Sequence, residues 1–548
     1  MFNLKKNAES TLGPINMQNK KVLGIIAVAI IVVLAGGALL IPSLTSSDIP
    51  SAPSGAKMGG TLTMAMASEP NYLDPADWWG SSDIQMIDQI FDSLIQFGFD
   101  FKPYPRLAES WTVSDDGKVW TFNLRSGVKF HDGHELTSAD VKYSYERILD
   151  PDTKAVRRSA LTNNAKIESI STPDDNTVIF TLKSSNVDGL GVLGREYIVH
   201  KDAVDKWGRA DFKLHPVGTG PFVFDEWVPK EKLVLVANED YWQGRPYIDS
   251  LVVRFIPEVG TQLAELESGR IDLIGQFASY DEAERLKSDP NMQVFQSKGT
   301  RIMTFYFNLD REPFDDVRVR QAIAHAIDKE EVVKGAYRGF ATPATNVVPK
   351  GMGEWFDSNV TDLEYDPEKS KALLKEAGFP NGFEYEYLIL DRTPWRDVAL
   401  IVQQQLSEVG IKAQLEPMAS SKKFYGERDF WTHNGGLDLQ YPSPDNYFFR
   451  LGFSEVWENN GCCDLGKVID SDLDAAILAS QSELDPAKRK AYYSEAAQII
   501  NDNAYYVIIA YEDILSVATS NVNGFQPWPA RHGMVIHNPI INAFTYVD

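Results

Sequence analysis

A multi-lobed α/β fold is expected for this chain, on three observations. Helical and strand patterns alternate irregularly along 548 residues, which disfavours a barrel or an all-β array. The length exceeds what one hydrophobic core sustains, so more than one lobe is implied. There is also no internal repeat of the kind that builds solenoids or propellers.

The elements can be read in order. Val22 to Ile41 is free of charged residues, and about 20 apolar residues span the hydrocarbon core of a bilayer. The run is longer than the apolar core of a cleavable signal, so an uncleaved transmembrane helix over 22–41 is expected. Lys5, Lys6, Lys20 and Lys21 precede it against Glu9 alone, placing residues 1–21 in the cytosol and the rest outside. Residues 42–58, rich in Ser, Pro and Ala, read as a tether, and folding is expected from Gly59.

Beyond the tether, residues 60–67 carry a strand pattern. The turn at Asp116-Gly117 precedes the alternation Trp120, Phe122, Leu124, a hairpin with one buried face. Val178, Phe180 and Leu182 repeat the period of two, and further strands are expected at 233–236 and 251–255. Thr137-Ser-Ala-Asp140 caps a helix with Val141, Tyr145 and Ile148 on its apolar stripe. Asp366-Pro367 and Gly378 bracket another helix, and Asp485-Pro486 opens a third.

Composition narrows the function. The net charge of −24 argues against nucleic acid, whose phosphates require a basic face. The two cysteines, Cys462 and Cys463, are adjacent and cannot close a long loop; two buried thiols or a strained vicinal bridge remain open, the first favoured by disulfide geometry. HExxH, GxSxG and GxGxxG motifs are absent. The phosphate-loop spacing of Gly461 to Lys467 lacks the Ser or Thr that would hold magnesium, since Val468 stands there.

His131-Asp132-Gly133-His134-Glu135 sets two imidazoles and two carboxylates close together. Asp-Gly makes a tight turn, however, and residues on such a turn rarely converge on one ion. The other histidines stand apart in sequence, so neither a metal site nor a cofactor is expected. Aromatic residues fall where loops are anticipated, at Trp78-Trp79, Trp395, Tyr441, Tyr447-Phe448-Phe449 and Trp528.

Several stretches carry a resemblance. Leu107-Ala-Glu-Ser-Trp111, Trp120-Thr-Phe-Asn-Leu-Arg125, Gly127-Val-Lys-Phe-His-Asp-Gly133 and Leu136-Thr-Ser-Ala-Asp-Val141 occur in order. Gly218-Thr-Gly-Pro-Phe222, Asn238-Glu-Asp-Tyr-Trp242, Val317-Arg-Val-Arg-Gln-Ala322 and Ala326-Ile-Asp-Lys329 follow. From about Gly59 to the C-terminus the chain resembles the extracellular solute-binding protein family 5 of ABC importers, which serves oligopeptides, dipeptides and nickel.

The resemblance implies a periplasmic-binding-protein-like α/β fold of two lobes with an inserted subdomain. Lobe I would comprise 59–90, 213–307 and 508–548, the insertion 91–212, and lobe II 308–507. It also implies capture without chemistry: the lobes close on a solute, and the closed form docks on permease subunits. A monomer with no enzymatic activity is expected, its solute a short peptide. The alternatives are an oligosaccharide or nickel chelate and, from other classes, a secreted hydrolase or a non-transporting sensor. By position the resemblance points to Trp79, Gly80 and Ser81 after Leu73-Asp74-Pro75, to Arg392 and Trp395, and to Gln440, Tyr441 and Asp445 in a cleft loop. Peptide-binding members commonly carry Asp where Gln440 stands, to meet a ligand amino group; Asp438 or Asp445 would have to substitute.

Overall fold

The computed structural model describes residues 55–548, apart from 79, 187–188, 278, 419–428, 440–442, 455–465, 531–533, 536 and 539–542. The transmembrane expectation for Val22 to Ile41, and the cysteine pair, lie outside the described residues. Among the described residues no helix is long and apolar enough to cross a membrane.

The capping chemistry anticipated from the sequence is present. The Asp140 carboxylate accepts from the Thr137 N–H and hydroxyl, both at 3.0 Å, at the start of helix Ser138–Leu149. Asp366 accepts from Lys369 N–H at 2.9 Å at the head of Pro367–Glu376. Asp485 caps Pro486–Asp502 through Ala487 and Lys488 N–H. Each carboxylate satisfies backbone donors that a helix N-terminus leaves unpaired.

Period-two segments become strands of two main sheets. A four-stranded antiparallel sheet runs Ala108–Val113, Val119–Leu124, Thr177–Leu182, Ile167–Asp174. Trp120 faces Phe180 and Phe122 faces Val178 across it, while Tyr145 of helix Ser138–Leu149 meets Phe180 edge-on at 4.7 Å. These residues form one apolar core.

The larger sheet holds eleven of the described strands. At one end Thr61–Met66 lies parallel to Ser250–Phe255 and to Leu273–Ile274. At the other, Glu384–Leu390 lies parallel to Lys412–Met418 and to Thr432–Leu437. Two long strands join the halves: Met292–Phe307 and Tyr506–Thr519 pair antiparallel from Met292↔Thr519 to Tyr306↔Tyr506. One apolar core gathers Leu62, Ile87, Phe222 and Leu251, and another gathers Phe305, Tyr387, Trp395 and Tyr447.

The pairing of the long strands is interrupted between Ser297 and Arg301. Gly299 lies in the gap, where a Cβ would come within 2.0 Å of the Glu512 carbonyl oxygen. Only glycine allows the two backbones to approach this closely.

His433 carries a pH prediction. Its ring stacks on Tyr306 at 4.4 Å and meets Phe430 edge-on, fully buried. Burial pushes the imidazole down to about 3, against about 6.5 in an unfolded chain. Below pH 6.5 the unfolded chain takes up a proton that the folded one refuses. Stability from this site is therefore complete above pH 6.5 and declines as pH falls toward 3, by about 1.4 kcal/mol per pH unit at most. His433→Phe should remove that part of the slope. Denaturation series at pH 7.5, 6.0 and 5.0 with the same slope in both proteins would contradict this.

Candidate functional site

Trp395 opens helix Trp395–Glu408 beside the central strands, and its carbonyl accepts from Asn434 Nδ2 at 2.7 Å. The Arg392 guanidinium lies over one side of the indole at 4.6 Å, and Arg301 approaches the ring at 5.5 Å. Trp395 is therefore only 5% exposed, whereas Arg392 is on the surface. Arg392 and Trp395, expected together at the site, are adjacent, but the cations lie against the ring that was expected to face a ligand.

Beneath Trp395 sits a charged cluster that sequence reading missed. Arg301 Nε is 3.3 Å from Glu512 Oε2 and 3.8 Å from Asp438 Oδ2. The Tyr337 hydroxyl donates to Glu512 at 2.9 Å. Burial opposes the guanidinium charge, yet Glu512 and Asp438 outweigh it and raise the Arg301 pKa. Arg301 and Glu512 are direct cross-strand partners. Gly436 makes room for them, because a Cβ there would fall 2.3 Å from Arg301 Nε. Asp438 was visible as a substitute acid near the expected loop; Arg301 and Glu512, more than two hundred residues apart, gave no local signal.

The other expected residues are distributed as follows. Asp445 begins helix Asp445–Gly452, is buried, and accepts from Gln481 Nε2 at 2.9 Å. Tyr447 and Phe448, anticipated on a loop, lie on this same helix inside the core, Phe448 stacked on Tyr493 at 5.4 Å. Their spacing within one helical turn carries them inward once Asp445 and Pro444 start the helix. Gly80 and Ser81 belong to the other half of the molecule. Gly80 N–H donates to Asp83 Oδ2 at 3.1 Å, and Ser81 is the first residue of helix Ser81–Ile90. Trp78 is a core residue with Arg157 over its ring at 4.1 Å. Trp79, Gln440 and Tyr441 lie outside the described residues.

The landmark motifs acquire physical roles. Asp92 is fully buried. Its Oδ1 accepts from Arg106 Nε at 2.6 Å and the Tyr241 hydroxyl at 3.2 Å; its Oδ2 accepts from the Thr219 hydroxyl and Trp242 Nε1, each at 3.0 Å. Gly218 and Gly220 flank Thr219 because a Cβ at either would strike the Ile90 backbone, at 2.1 and 2.5 Å. His131 joins this seam: its Nδ1 accepts from Gly218 N–H at 3.4 Å, and its Nε2–H donates to the Gly220 carbonyl at 3.0 Å. Burial lowers its pKa. The expectation that the histidines outside the 131–135 turn stand apart fails for His200, whose ring stacks on His134 at 4.3 Å. Sequence separation hid a contact made by the start of helix Lys201–Phe212.

This arrangement has close counterparts. The family described as bacterial extracellular solute-binding proteins, family 5 Middle, matches residues 102–459. Heme-binding protein A of Haemophilus influenzae is 31% identical over 482 residues, covering 82% of this chain and 86% of the relative. The glutathione-binding protein GsiB of Salmonella paratyphi A is 30% identical over 516 residues, covering 90% and 95%. The structure of the periplasmic binding protein DppA of Helicobacter pylori in complex with the peptide STSA superposes with a TM-score of 0.75 at 29% identity, covering 90% of this chain and 99% of that one. The periplasmic-binding-protein-like α/β fold is thereby established, and the chain belongs to the bacterial extracellular solute-binding proteins of family 5, which capture solutes for ABC transporters.

Proposed function

We propose that this chain binds a short peptide between its lobes outside the cytoplasmic membrane and delivers it, chemically unchanged, to an ABC permease. The observation that carries the reading is the Trp395 cluster: surface Arg392 over the indole, buried Arg301 near the same ring and bridging to Asp438, and Asp445 beyond the run 440–442. Cationic and anionic groups flank an aromatic platform there, the combination that suits a zwitterionic chain with an apolar middle. A relative bound to a tetrapeptide and another named for glutathione, itself a tripeptide, support the ligand class.

On this reading Trp79, Gly80 and Ser81 contribute from lobe I, and Gln440 and Tyr441 from lobe II. Lobe I is built from 59–90, 213–307 and 508–548, the insertion is 91–212, and lobe II is 308–507. The core that gathers Phe122 and Tyr145 lies, apart from Ala76, within 91–212 and supports the insertion as a unit, and the two long strands act as the hinge. The chain works as a monomer, tethered by Val22 to Ile41 with residues 1–21 in the cytosol. The absence of an Asp at position 440 predicts weak discrimination between free-amino and N-blocked peptides.

Calorimetry with tetrapeptides, glutathione and hemin tests the assignment. Arg392→Ala should weaken a peptide with a free carboxylate by about tenfold, the value of one charge-assisted contact in a closed cleft of about 1.4 kcal/mol. The amidated peptide should bind both proteins alike. Binding of hemin with no peptide binding would remove the peptide assignment and leave the receptor class.

A further inference from the structure

The described residues bring together one group of metal-capable side chains: His134, Asp140 and His200, whose donor atoms all lie within 4.8 Å of one another. His134 follows the Asp132-Gly133 turn, Asp140 lies in the first turn of helix Ser138–Leu149, and His200 caps helix Lys201–Phe212. Phe130 supports them from one side, stacked on His200 at 5.1 Å.

We propose that this group is a binding site for a borderline divalent cation, with Zn²⁺ the best match. Two imidazoles and one carboxylate make a three-ligand set that leaves a fourth, water-filled position on a tetrahedral ion. Asp132 supplies the support such ligands require. Its Oδ2 lies 2.7 Å from His200 Nδ1, and its Oδ1 accepts from the His134 N–H at 3.2 Å. A carboxylate at Nδ1 keeps the proton there and leaves the Nε2 lone pair for a metal. His131 is not part of the set, since both of its nitrogens are used by the Gly218 and Gly220 backbone.

Exposure separates fixed ligands from a movable one. The Asp140 and His200 side chains are 6% and 8% exposed, whereas His134 is 45% exposed. Asp140 Oδ2 already accepts from Thr137, but a carboxylate has further lone pairs to offer. His134 Nε2 is 3.8 Å from Asp140 Oδ2, and its ring lies within 17° of parallel to that of His200. Parallel rings do not aim both lone pairs at one point. The surface ring of His134 must tilt, bringing the donors to about 3.3 Å apart around an ion with bonds of about 2.0–2.1 Å. The opening at His134 supplies the path for entry. None of these residues lies on the elements that carry Gly80, Ser81, Arg392, Trp395 or Asp445.

Titration of the full-length chain with ZnCl₂, followed by calorimetry, tests the site. One Zn²⁺ should bind, and His134→Ala should weaken it by about tenfold or more, whereas His215→Ala, a histidine stacked on Trp207, should leave it unchanged. Melting curves will check that His134→Ala is folded. Should it not be, Co²⁺ bound to the wild-type chain decides: intense visible bands of a four-coordinate ion support the site, and the weak bands of an octahedral one overturn it. No Zn²⁺ binding, or affinity equal in wild type and His134→Ala, also overturns it. The second result is the one a metal held in the solute cleft would give.

Discussion

Replacing Asp92 by Ala should cost the fold about 3–5 kcal/mol, the penalty for stranding a buried cation. Arg106 is buried with its partner, at 5% exposed. Burial disfavours its charge, and Asp92 and Asp88 reverse that and raise its pKa. Without Asp92, Arg106 keeps Asp88, at 3.3 Å, and the Phe91 carbonyl, neither of which replaces the lost carboxylate at 2.6 Å. Thr219, Tyr241 and Trp242 lose an acceptor at the same time. The position magnifies the effect. Phe91 belongs to the core with Leu62 and Phe222, Leu94 to the core with Phe122 and Tyr145, so Asp92 pins one core to the other. Thermal melting of Asp92→Ala should accordingly separate into two transitions or shift down as a whole. Asp92→Asn, which retains one acceptor oxygen, should lose about half as much. A variant melting within a degree or two of wild type would show that the seam is held by its apolar contacts instead.

That seam also indicates how far a sequence can be read. Asp140, Asp366 and Asp485 announce their helices because a cap acts over three residues, and Val178, Phe180 and Leu182 announce a strand because alternation is local. Thr219 and Trp242 stand in recognisable motifs, but nothing near either names Asp92 as the common acceptor. The same limit applies to the site. Arg392 and Trp395 are three residues apart, and their shared place was legible; that Arg301 also reaches the ring depends on sheet order, which pairs 292–307 with 506–519. Helix Asp445–Gly452 was read as a loop because its apolar face, Tyr447, Phe448 and Leu451, is too short to establish a helical period. His134 and His200 failed for the reason Asp92 did: their contact depends on where helix Lys201–Phe212 begins.

Arg301→Met should be the most damaging single change near the cleft. Methionine keeps the unbranched stem and removes the charge, leaving Glu512 and Asp438 in the interior without their shared cation. The loss should be about 3–5 kcal/mol, since removing one partner of a buried ionic group costs far more than replacing the whole group. That asymmetry supplies the control. Glu512→Gln added to Arg301→Met removes one stranded charge while preserving an acceptor for the Tyr337 hydroxyl, and the double variant should regain about 1–2 kcal/mol over the single. Solute binding should fall further than stability alone explains. Arg301 meets the Trp395 ring at 5.5 Å and crosses from the long strand to Asp438 at 3.8 Å, so its removal takes one cation from the indole and one tie from Asp438. Chemical denaturation of the wild type and both variants, with calorimetry on each folded protein, measures the two effects separately. A double variant no more stable than Arg301→Met would mean that the cost lies in lost packing around the guanidinium stem. Unchanged peptide affinity in a folded Arg301→Met would place the solute away from Trp395.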